Sequence, residues 1–321
     1  MQAILYDPNA PYGLHLGTAP EPQPRQHEAL VEVRAIALNF GELAFLRDRR
    51  KPGEVVGWEA AGFVLRPAAD GSGPARGARV TGFGSAGGWA ERRAVDVAHL
   101  AVIPNAIDFG AAAAVPVAGV TALRALRALG PVVGRRVLVT GASGGVGRMA
   151  VQLAARAGAH VIASVGSPER GIGLAELGAA EVVVGLREVA PVYGVLENVG
   201  GELLAQAYAL LEPGGSVQSI GMASLEPTSI DFERARLRGG GRIEAFNVFA
   251  HGGAFGRDLA ALLEWMVRGE LDPQVGWRGP WTNIAEAVAA FRGRQVRGKA
   301  VLDVHHSAPT VSEKARAAAM P

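Results

Sequence analysis

The sequence predicts an α/β protein with a doubly wound parallel sheet and a second, β-rich domain. Its 321 residues are enough for two domains that each bury a core. Up to about residue 116, Gly and Pro separate short runs typical of strands. From about Val117 onward, apolar strands alternate with amphipathic helices, which is the pattern of a parallel sheet covered by helices.

The first part of the chain carries the signals of a small barrel or sandwich. Ala29–Leu38 alternates between two faces, with the polar Glu32 and Arg34 on one of them, and it predicts a strand. Gly62–Arg66 and Arg79–Phe83 are further short strands preceded by turn residues.

The remaining elements follow in a regular order. Leucines three apart predict a helix over Thr121–Leu129. The strands predicted after it are Arg136–Thr140, Val161–Val165, Glu181–Val184, Val195–Glu197, Ser216–Ile220 and Lys299–Val304. The helices are Val146–Ala157, one containing Leu174–Leu177, Leu203–Leu211, Gly256–Arg268 and Ile284–Gly293. The tail from His305 is expected to be a frayed extension with helical character near Lys314.

Composition excludes several classes of protein. The absence of Cys excludes a disulfide scaffold, a Cys nucleophile and a Cys-ligated zinc. The 32 cationic residues are nearly balanced by 30 acidic ones, and no basic run exceeds Arg49–Lys51, so we expect no nucleic-acid partner. No stretch is long and apolar enough to cross a membrane, and we expect a cytoplasmic protein.

The strongest local signal is the glycine-rich turn after the strand Arg136–Thr140. Glycines let the backbone approach a pyrophosphate, whose charge is met by amides at the start of the next helix. A structural turn is the alternative, but the strand–turn–helix context favours dinucleotide binding. The candidate binding residues are Ser143, Gly144, Gly145, Val146 and Gly147.

The end of the following strand indicates which dinucleotide is bound. A carboxylate there would bind the ribose 2′-hydroxyl. This chain instead has Ser167 and Arg170, a hydroxyl and a guanidinium that suit a 2′-phosphate. Glu169 is the opposing charge, and a solvated position for Arg170 is the alternative. The sequence therefore predicts NADPH rather than NADH.

The ordered motifs resemble those of the zinc-free medium-chain dehydrogenase/reductases, in the branch of quinone oxidoreductases and enoyl reductases. The resemblance runs from Met1 to about Val304. The motifs are A-L-N-F-G-E (37–42), G-W-E-A-A-G (57–62), R-V-T-G-F (79–83), A-V-P-V-A-G-V-T-A (114–122), A-S-G-G-V-G (142–147), L-L-E-P-G-G (210–215) and G-K-A-V-L (298–302).

The resemblance implies a division of the chain. A GroES-like catalytic domain would comprise residues 1–118 and 255–321, and a Rossmann domain that binds NADPH would comprise 119–254. The active site would lie between them. A homodimer formed through the edge of the nucleotide domain's sheet is the expected assembly.

The resemblance also implies chemistry without zinc. The zinc-dependent branch places its catalytic metal at positions that here carry Asn39, Trp58 and Ala118, a combination that cannot ligate zinc. Without a metal, the reaction that fits best is hydride transfer to a quinone or to a C=C conjugated with a carbonyl. Asn39 and Thr121 are the candidate polar contacts, with loop capping as the alternative for Asn39.

Two departures from related enoyl reductases leave the proton donor open. Phe40 stands where some have Tyr, and Phe cannot donate a proton. Arg170 stands where they have Lys, and a guanidinium is too basic to act as a general acid near neutrality. Phe40 and Trp58 are predicted to line the acceptor pocket.

Further cofactor contacts are implied by the matching motifs, with ordinary packing as the alternative for each. They are Asn198, Val199, Gly221, Met222, Phe246, Asn247, Val248 and Lys299.

Three functions remain open at this point. The first is an NADPH-dependent reductase of quinones or α,β-unsaturated carbonyls, with a place in secondary metabolism. The second is an NADPH-binding protein with little turnover, structural or RNA-associated, which the weak basic patterning disfavours. The third is a cyclising or iminium-reducing relative. In the first and third, the partner is a small-molecule substrate.

Overall fold

The computed structural model describes residues 1–237 and 239–305. The tail and its helix predicted near Lys314 lie outside the described residues. The strands are β1 Gln2–Tyr6, β2 Leu14–Thr18, β3 Glu28–Ala37, β4 Glu59–Arg66, β5 Arg79–Phe83, β6 Arg92–Asp96, β7 Leu100–Val102, β8 Arg136–Val139, β9 His160–Val165, β10 Glu181–Val184, β11 Val192–Glu197, β12 Leu211–Ser219, β13 Arg242–Ala245, β14 Val275–Pro280 and β15 Lys299–Asp303.

The helices alternate with strands in the middle of the chain, as expected. They are α1 Phe40–Ala44, α2 Leu46–Arg49, α3 Phe109–Ala113, α4 Pro116–Leu129, α5 Gly145–Arg156, α6 Gly201–Ala209, α7 Phe232–Leu237, α8 Gly256–Val267 and α9 Ile284–Arg292. In the part of the chain that the structure describes, no helix is long and apolar enough to cross a membrane.

The parallel sheet has the order β10-β9-β8-β11-β12-β13. Its strand order reverses between β8 and β11, and in sheets of this kind the ligand binds at the carboxyl ends of the strands beside such a reversal. All of its strands lie between Arg136 and Ala245. The prediction of a doubly wound parallel sheet is confirmed.

The second sheet is built from both ends of the chain. It has the order β14-β15-β3-β4-β5-β7, with β6 paired to β3, and its pairings are antiparallel except for β14 with β15. The inward face of β3 carries Ala29, Val31 and Val33, whereas Glu32 and Arg34 are only partly buried, as the alternation predicts. The β-rich part of the fold is also confirmed.

A single buried cluster joins the two sheets. It contains Ala61 and Phe83 of the antiparallel sheet, Val120 of α4, and Val139 and Val161 of the parallel sheet. The helix α4 thus packs between the two parts of the fold, and burial of its apolar side chains stabilises their contact.

The helix predicted around Leu174–Leu177 is wrong. A short 3₁₀ turn over Pro168–Gly171 is followed by further turns up to residue 178. Gly173 and Gly178 have φ angles of 82° and 103°, which no right-handed helix contains. The helices α1, α2 and α3 were missed, because each is too short to produce a helical period.

Candidate functional site

The glycine-rich turn connects β8 to α5 at the carboxyl end of the parallel sheet. Gly144 caps α5 without a side-chain hydrogen bond, so the first amides of the helix are left for a ligand. A Cβ on Gly147 would lie 2.3 Å from the Gly141 carbonyl oxygen, so the turn admits no larger residue there. All five predicted residues, Ser143 to Gly147, lie at this turn, which fits a pyrophosphate.

Glu197 fixes the neighbouring loop. It is fully buried at the end of β11, and its carboxylate accepts hydrogen bonds from the Thr140 hydroxyl at 2.8 Å and the Val199 amide at 2.9 Å. Burial raises the pKa of Glu197. Asn198 donates from Nδ2 to the Thr140 carbonyl at 2.9 Å. The predicted Asn198 and Val199 therefore lie directly against the glycine-rich turn.

The loops after β12 and β13 lie beside that one. A Cβ on Gly221 would lie 2.7 Å from the Asn198 carbonyl oxygen, so this close approach requires Gly. Met222 follows it with 44% of its surface exposed. Phe246 is buried, and its amide donates to the Ser219 carbonyl at 2.9 Å. These predicted residues therefore lie after β12 and β13, at the carboxyl end of the parallel sheet.

Arg124 of α4 holds the loop after β13. Its buried guanidinium donates to the carbonyls of Val248 at 2.8 Å and Ala254 at 2.8 Å, and to Asp258 at 2.6 Å. Burial opposes ionisation of Asp258, but the arginine hydrogen bonds outweigh it and lower the pKa of Asp258. Asn247 uses its side-chain oxygen to accept from a backbone amide of its own loop. Sequence reasoning missed Arg124.

Arg170 lies where the sequence places it, against the glycine-rich turn. Its Nε donates to the Ser143 hydroxyl at 2.9 Å, and its terminal nitrogen donates to the Arg294 carbonyl. A hydrogen bond with Ser167 lowers the pKa of Glu169, so the opposing carboxylate is engaged by Ser167 rather than by Arg170.

Four guanidinium groups gather around this point: Arg148, Arg170, Arg294 and Arg297. Burial and the charge of Arg297 lower the pKa of Arg148, and burial and the charge of Arg294 lower the pKa of Arg170. Within residues 1–237 and 239–305, none of the four has a carboxylate within 4.0 Å. Arg148 is buried, Arg170 is partly buried, and Arg294 and Arg297 are exposed. A group of cations that repel one another without an ion-paired carboxylate suits a bound phosphate.

The segment before β15 closes the site from the other side. The Gly298 amide donates to the Ser143 carbonyl at 2.9 Å, and a Cβ on Gly145 would lie 2.8 Å from Cδ of Lys299. The Lys299 ammonium is turned away from the turn. It donates to the Leu38 carbonyl at 2.8 Å, to Asn39 Oδ1 at 2.6 Å and to Glu59 Oε1 at 2.6 Å, which uses all three of its hydrogens.

Asn39 is also engaged inside the protein. Its Nδ2 donates to Glu42 at 2.9 Å and to Glu59 at 2.8 Å, while its Oδ1 accepts from Lys299. Asn39 begins α1 without a side-chain capping bond, so the loop-capping alternative does not describe it. The geometry makes Asn39 a bridge between two buried carboxyl groups and an ammonium.

Glu42 is the unusual acid of this cluster. Burial, and then the charge of Glu59, raise the pKa of Glu42 to about 8. The buried Arg93 lies nearby, donates to the Trp58 carbonyl at 3.2 Å, and has its pKa lowered to about 10, chiefly by burial. Both glutamates stand inside motifs read from the sequence, but their roles were missed, because no local pattern predicts that the two carboxyl groups are buried side by side.

Thr121 differs from Asn39, because no described residue is a hydrogen-bond partner of its side chain. Glu59 accepts from the Val117 amide at 2.7 Å, which fixes α4 one turn before Thr121. The Thr121 side chain is buried, and its hydroxyl makes no hydrogen bond with any residue that the structure describes. Phe40 is 38% exposed, and Trp58 is half-buried against Gly41 on the same side of the fold.

No metal centre is formed by the described residues: they contain no group of three or more His, Cys, Asp or Glu side chains that could hold an ion. Asn39 and the Trp58 amide both donate to the Glu42 carboxyl group, and Asn39 also donates to Glu59. The zinc-free chemistry stays a prediction.

A family model described as zinc-binding dehydrogenase matches residues 177–302. The mycobacterial protein Rv1454c, solved in complex with NADPH, is similar to this chain with a TM-score of 0.86 and 25% identity, over 94% of this chain and 100% of that one. The chain is similar to quinone oxidoreductases of the medium-chain dehydrogenase/reductase superfamily.

Curated relatives lie in the quinone oxidoreductase and enoyl reductase branch. Quinone oxidoreductase-like protein 2 of Bos taurus is 28% identical over 88% of this chain and 87% of its own length. The spectinabilin polyketide synthase system protein NorB of Streptomyces orinoci is 36% identical over 82% of this chain. The chain spans only 12% of NorB.

Proposed function

We propose that this protein is a member of the medium-chain dehydrogenase/reductase superfamily and an NADPH-dependent reductase that transfers hydride to a quinone or to a C=C conjugated with a carbonyl. When bound, NADPH supplies a hydride from its nicotinamide ring, and the acceptor takes up one proton in addition. The observation that carries the proposal is the set of four arginines beside a glycine-rich turn, none of which forms an ion pair with a carboxylate of the described residues.

The chain's own residues supply binding and orientation. The turn and the first amides of α5 would hold the pyrophosphate, and Arg170 with Arg294 would hold the 2′-phosphate. The carboxyl-end loops with Asn198, Met222 and Val248 would border the rest of the coenzyme.

Thr121 is the better of the two candidate polar contacts for the acceptor. Its hydroxyl has no hydrogen-bond partner among the described residues, whereas the side-chain amide of Asn39 is already bonded. Lys299 and Asn39 would act as positioning residues that join the turn to α1 and, through Glu59, to α4. Phe40 and Trp58 would line the acceptor side.

The proposal includes the organisation implied by the resemblance. A catalytic domain of residues 1–118 and 255–321 would enclose a nucleotide domain of 119–254, without zinc, in a cytoplasmic homodimer. The similarity to NorB supports a place in secondary metabolism.

The experiment is steady-state loss of NADPH absorbance at ~340 nm with a panel of quinones and enones. Turnover with at least one acceptor is expected. Tight NADPH binding without turnover on any acceptor would instead support a binding protein.

Coenzyme choice is tested separately by Arg170→Ala. Loss of a charge-assisted phosphate contact of about 1.5–3 kcal/mol should weaken NADPH binding roughly 10- to 150-fold and leave NADH nearly unchanged. Calorimetry with both coenzymes measures this. Arg187→Ala, at an exposed arginine without an ion pair in the described structure, is the matched control. Equal weakening of both coenzymes would contradict the assignment.

A further inference from the structure

A basic segment, defined as Arg47 to Lys51, lies directly after the motif that contains Asn39 and Glu42. Four of its five residues are cationic: Arg47, Arg49, Arg50 and Lys51. It begins in α2, and all four side chains reach the surface, with Arg50 partly buried. This is the densest run of positive charge in the chain.

The positive charge of the basic segment is not neutralised by the fold. Asp48 and Glu54 are the acids of the same stretch, yet in the described structure neither lies within 4.0 Å of any of the four cations. Some exposed arginines elsewhere are paired with an acid. Arg278, for example, donates to Asp303 at 2.9 Å. Four cations without a nearby carboxylate repel one another electrostatically, and a bound anion would reduce this repulsion.

Two contacts hold the segment beside the proposed acceptor side. The guanidinium of Arg49 lies over the Phe45 ring, 5.0 Å from its centroid, and Arg50 donates to the Ser85 carbonyl. Arg49 and Arg50 then line a groove together with Phe45, Glu42 and Trp58. The cations thus stand at the outer end of a groove whose inner end is Trp58 and Glu42.

This position favours an elongated acceptor with charge at one end. A neutral quinone needs no such cluster. A molecule that places its reducible bond near Trp58 and its phosphates farther along the groove would use both ends. Arginine is well suited to phosphate, and the exposed cations would also raise the encounter rate with an anion.

Resting on the proposed function, we propose that the basic segment binds the phosphate groups of an acceptor whose double bond is conjugated to a thioester. The phosphate could belong to coenzyme A or to a 4′-phosphopantetheine arm, and both share the same chemistry at the segment. The segment is then a specificity determinant and takes no part in hydride transfer.

The test compares three acceptors that share one crotonyl group: crotonyl-coenzyme A, crotonyl-4′-phosphopantetheine and the uncharged crotonyl-N-acetylcysteamine. At low salt, we expect KM to be lower for the two phosphorylated acceptors than for the uncharged one. KM should rise with ionic strength for the phosphorylated acceptors and stay constant for the uncharged acceptor. A lower KM for the coenzyme A thioester than for the phosphopantetheine thioester would show that the segment binds the nucleotide phosphates. Equal KM values for the two thioesters would show that it binds the pantetheine phosphate.

The variant is Arg47→Gln/Arg49→Gln/Lys51→Gln, which keeps Arg50 on Ser85. Loss of three exposed ionic contacts predicts a roughly five- to thirtyfold rise in KM for the phosphorylated acceptors. The value of kcat, and KM for the neutral acceptor, should be unchanged. Arg66→Gln/Arg76→Gln/Arg187→Gln removes the same charge from exposed, unpaired sites elsewhere in the described chain and should have no such effect.

The outcomes separate the two proposals. Reduction of a quinone together with equal KM values for charged and neutral thioesters would overturn the role of the basic segment and leave the proposed function standing. An equal effect of the control variant would also overturn it, since bulk charge would then suffice. Absence of turnover with every acceptor would overturn the proposed function, and the role of the segment with it.

Discussion

At the scale of single residues, the ion pair of Glu59 and Lys299 ties the site together. Their side chains are 0% and 2% exposed, and Nζ lies 2.6 Å from Oε1. Removing two charges from water is costly, and only a complete set of hydrogen bonds compensates for it. Here Lys299 has three acceptors, while Glu59 accepts from Asn39 and Val117 as well.

Lys299→Met should therefore destabilise the protein strongly. It leaves the Glu59 carboxylate buried without its ammonium, which predicts a loss of about 3–5 kcal/mol in the free energy of unfolding. Urea denaturation measures the loss. Lys51→Met, at an exposed lysine, should change the free energy by less than about 0.5 kcal/mol.

The double variant Glu59→Gln/Lys299→Met separates charge from packing. It removes the unpaired carboxylate and should be more stable than Lys299→Met alone. A loss below about 1 kcal/mol for Lys299→Met would show that the pair does not hold the site.

At the scale of elements, the sequence predicts correctly those features that depend on residues adjacent in the chain. The turn at 141–147 and Arg170 near the end of β9 lie where the pattern predicts, because strand, glycines and helix start are adjacent in sequence. The predicted helix at Leu174–Leu177 failed where glycines with positive φ break the chain. A pattern of apolar residues over only four positions is too short to impose a helix on a segment with these glycines.

A histidine clamp joins β13 to the loop after it. His251 Nδ1 lies 2.7 Å from the Asn247 carbonyl, and Nε2 lies 2.7 Å from Glu244. Both partners are acceptors, so the doubly protonated imidazole satisfies both. The Asn247 and then the Glu244 hydrogen bonds raise the pKa of His251, against the charge of Arg124. The charge of Arg242 acts on Glu244 from the same strand.

The clamp should weaken as pH rises. Because the folded-state pKa of His251 lies above the ordinary 6.5, the clamp is fully formed below that pH and is lost as pH rises through the raised value. NMR titration should give an imidazole midpoint above 6.5, and the Asn247 and Val248 amide signals should follow it. In His251→Gln the chemical shifts of those amides should not change with pH. A wild-type imidazole midpoint at or below 6.5 would contradict the clamp.

At the scale of the whole molecule, the parallel sheet ends in β10 on one side and β13 on the other. All four residues of β13 are exposed, including Ile243. An exposed strand edge is a template for pairing with another chain. This edge is where the proposed homodimer would form.

Ile243→Lys should convert the proposed dimer to a monomer, because two lysines would face each other near a two-fold axis. Analytical ultracentrifugation should show the wild type at twice 33.2 kDa and the variant at 33.2 kDa. Val184→Lys, on the opposite edge strand, should leave the dimer intact. A wild-type monomer, or a dimer disrupted only by Val184→Lys, would contradict this arrangement.

The sequence by itself determined the α/β fold with its parallel sheet and β-rich part, and the glycine-rich turn between β8 and α5. These features depend on residues that are close in sequence. Only the tertiary structure showed that Lys299 reaches Glu59 across 240 positions, that Arg294 joins Arg170 across 124, and that Asn39 is already bonded. Such pairs form because two distant segments pack on one another, and no local pattern encodes their distance.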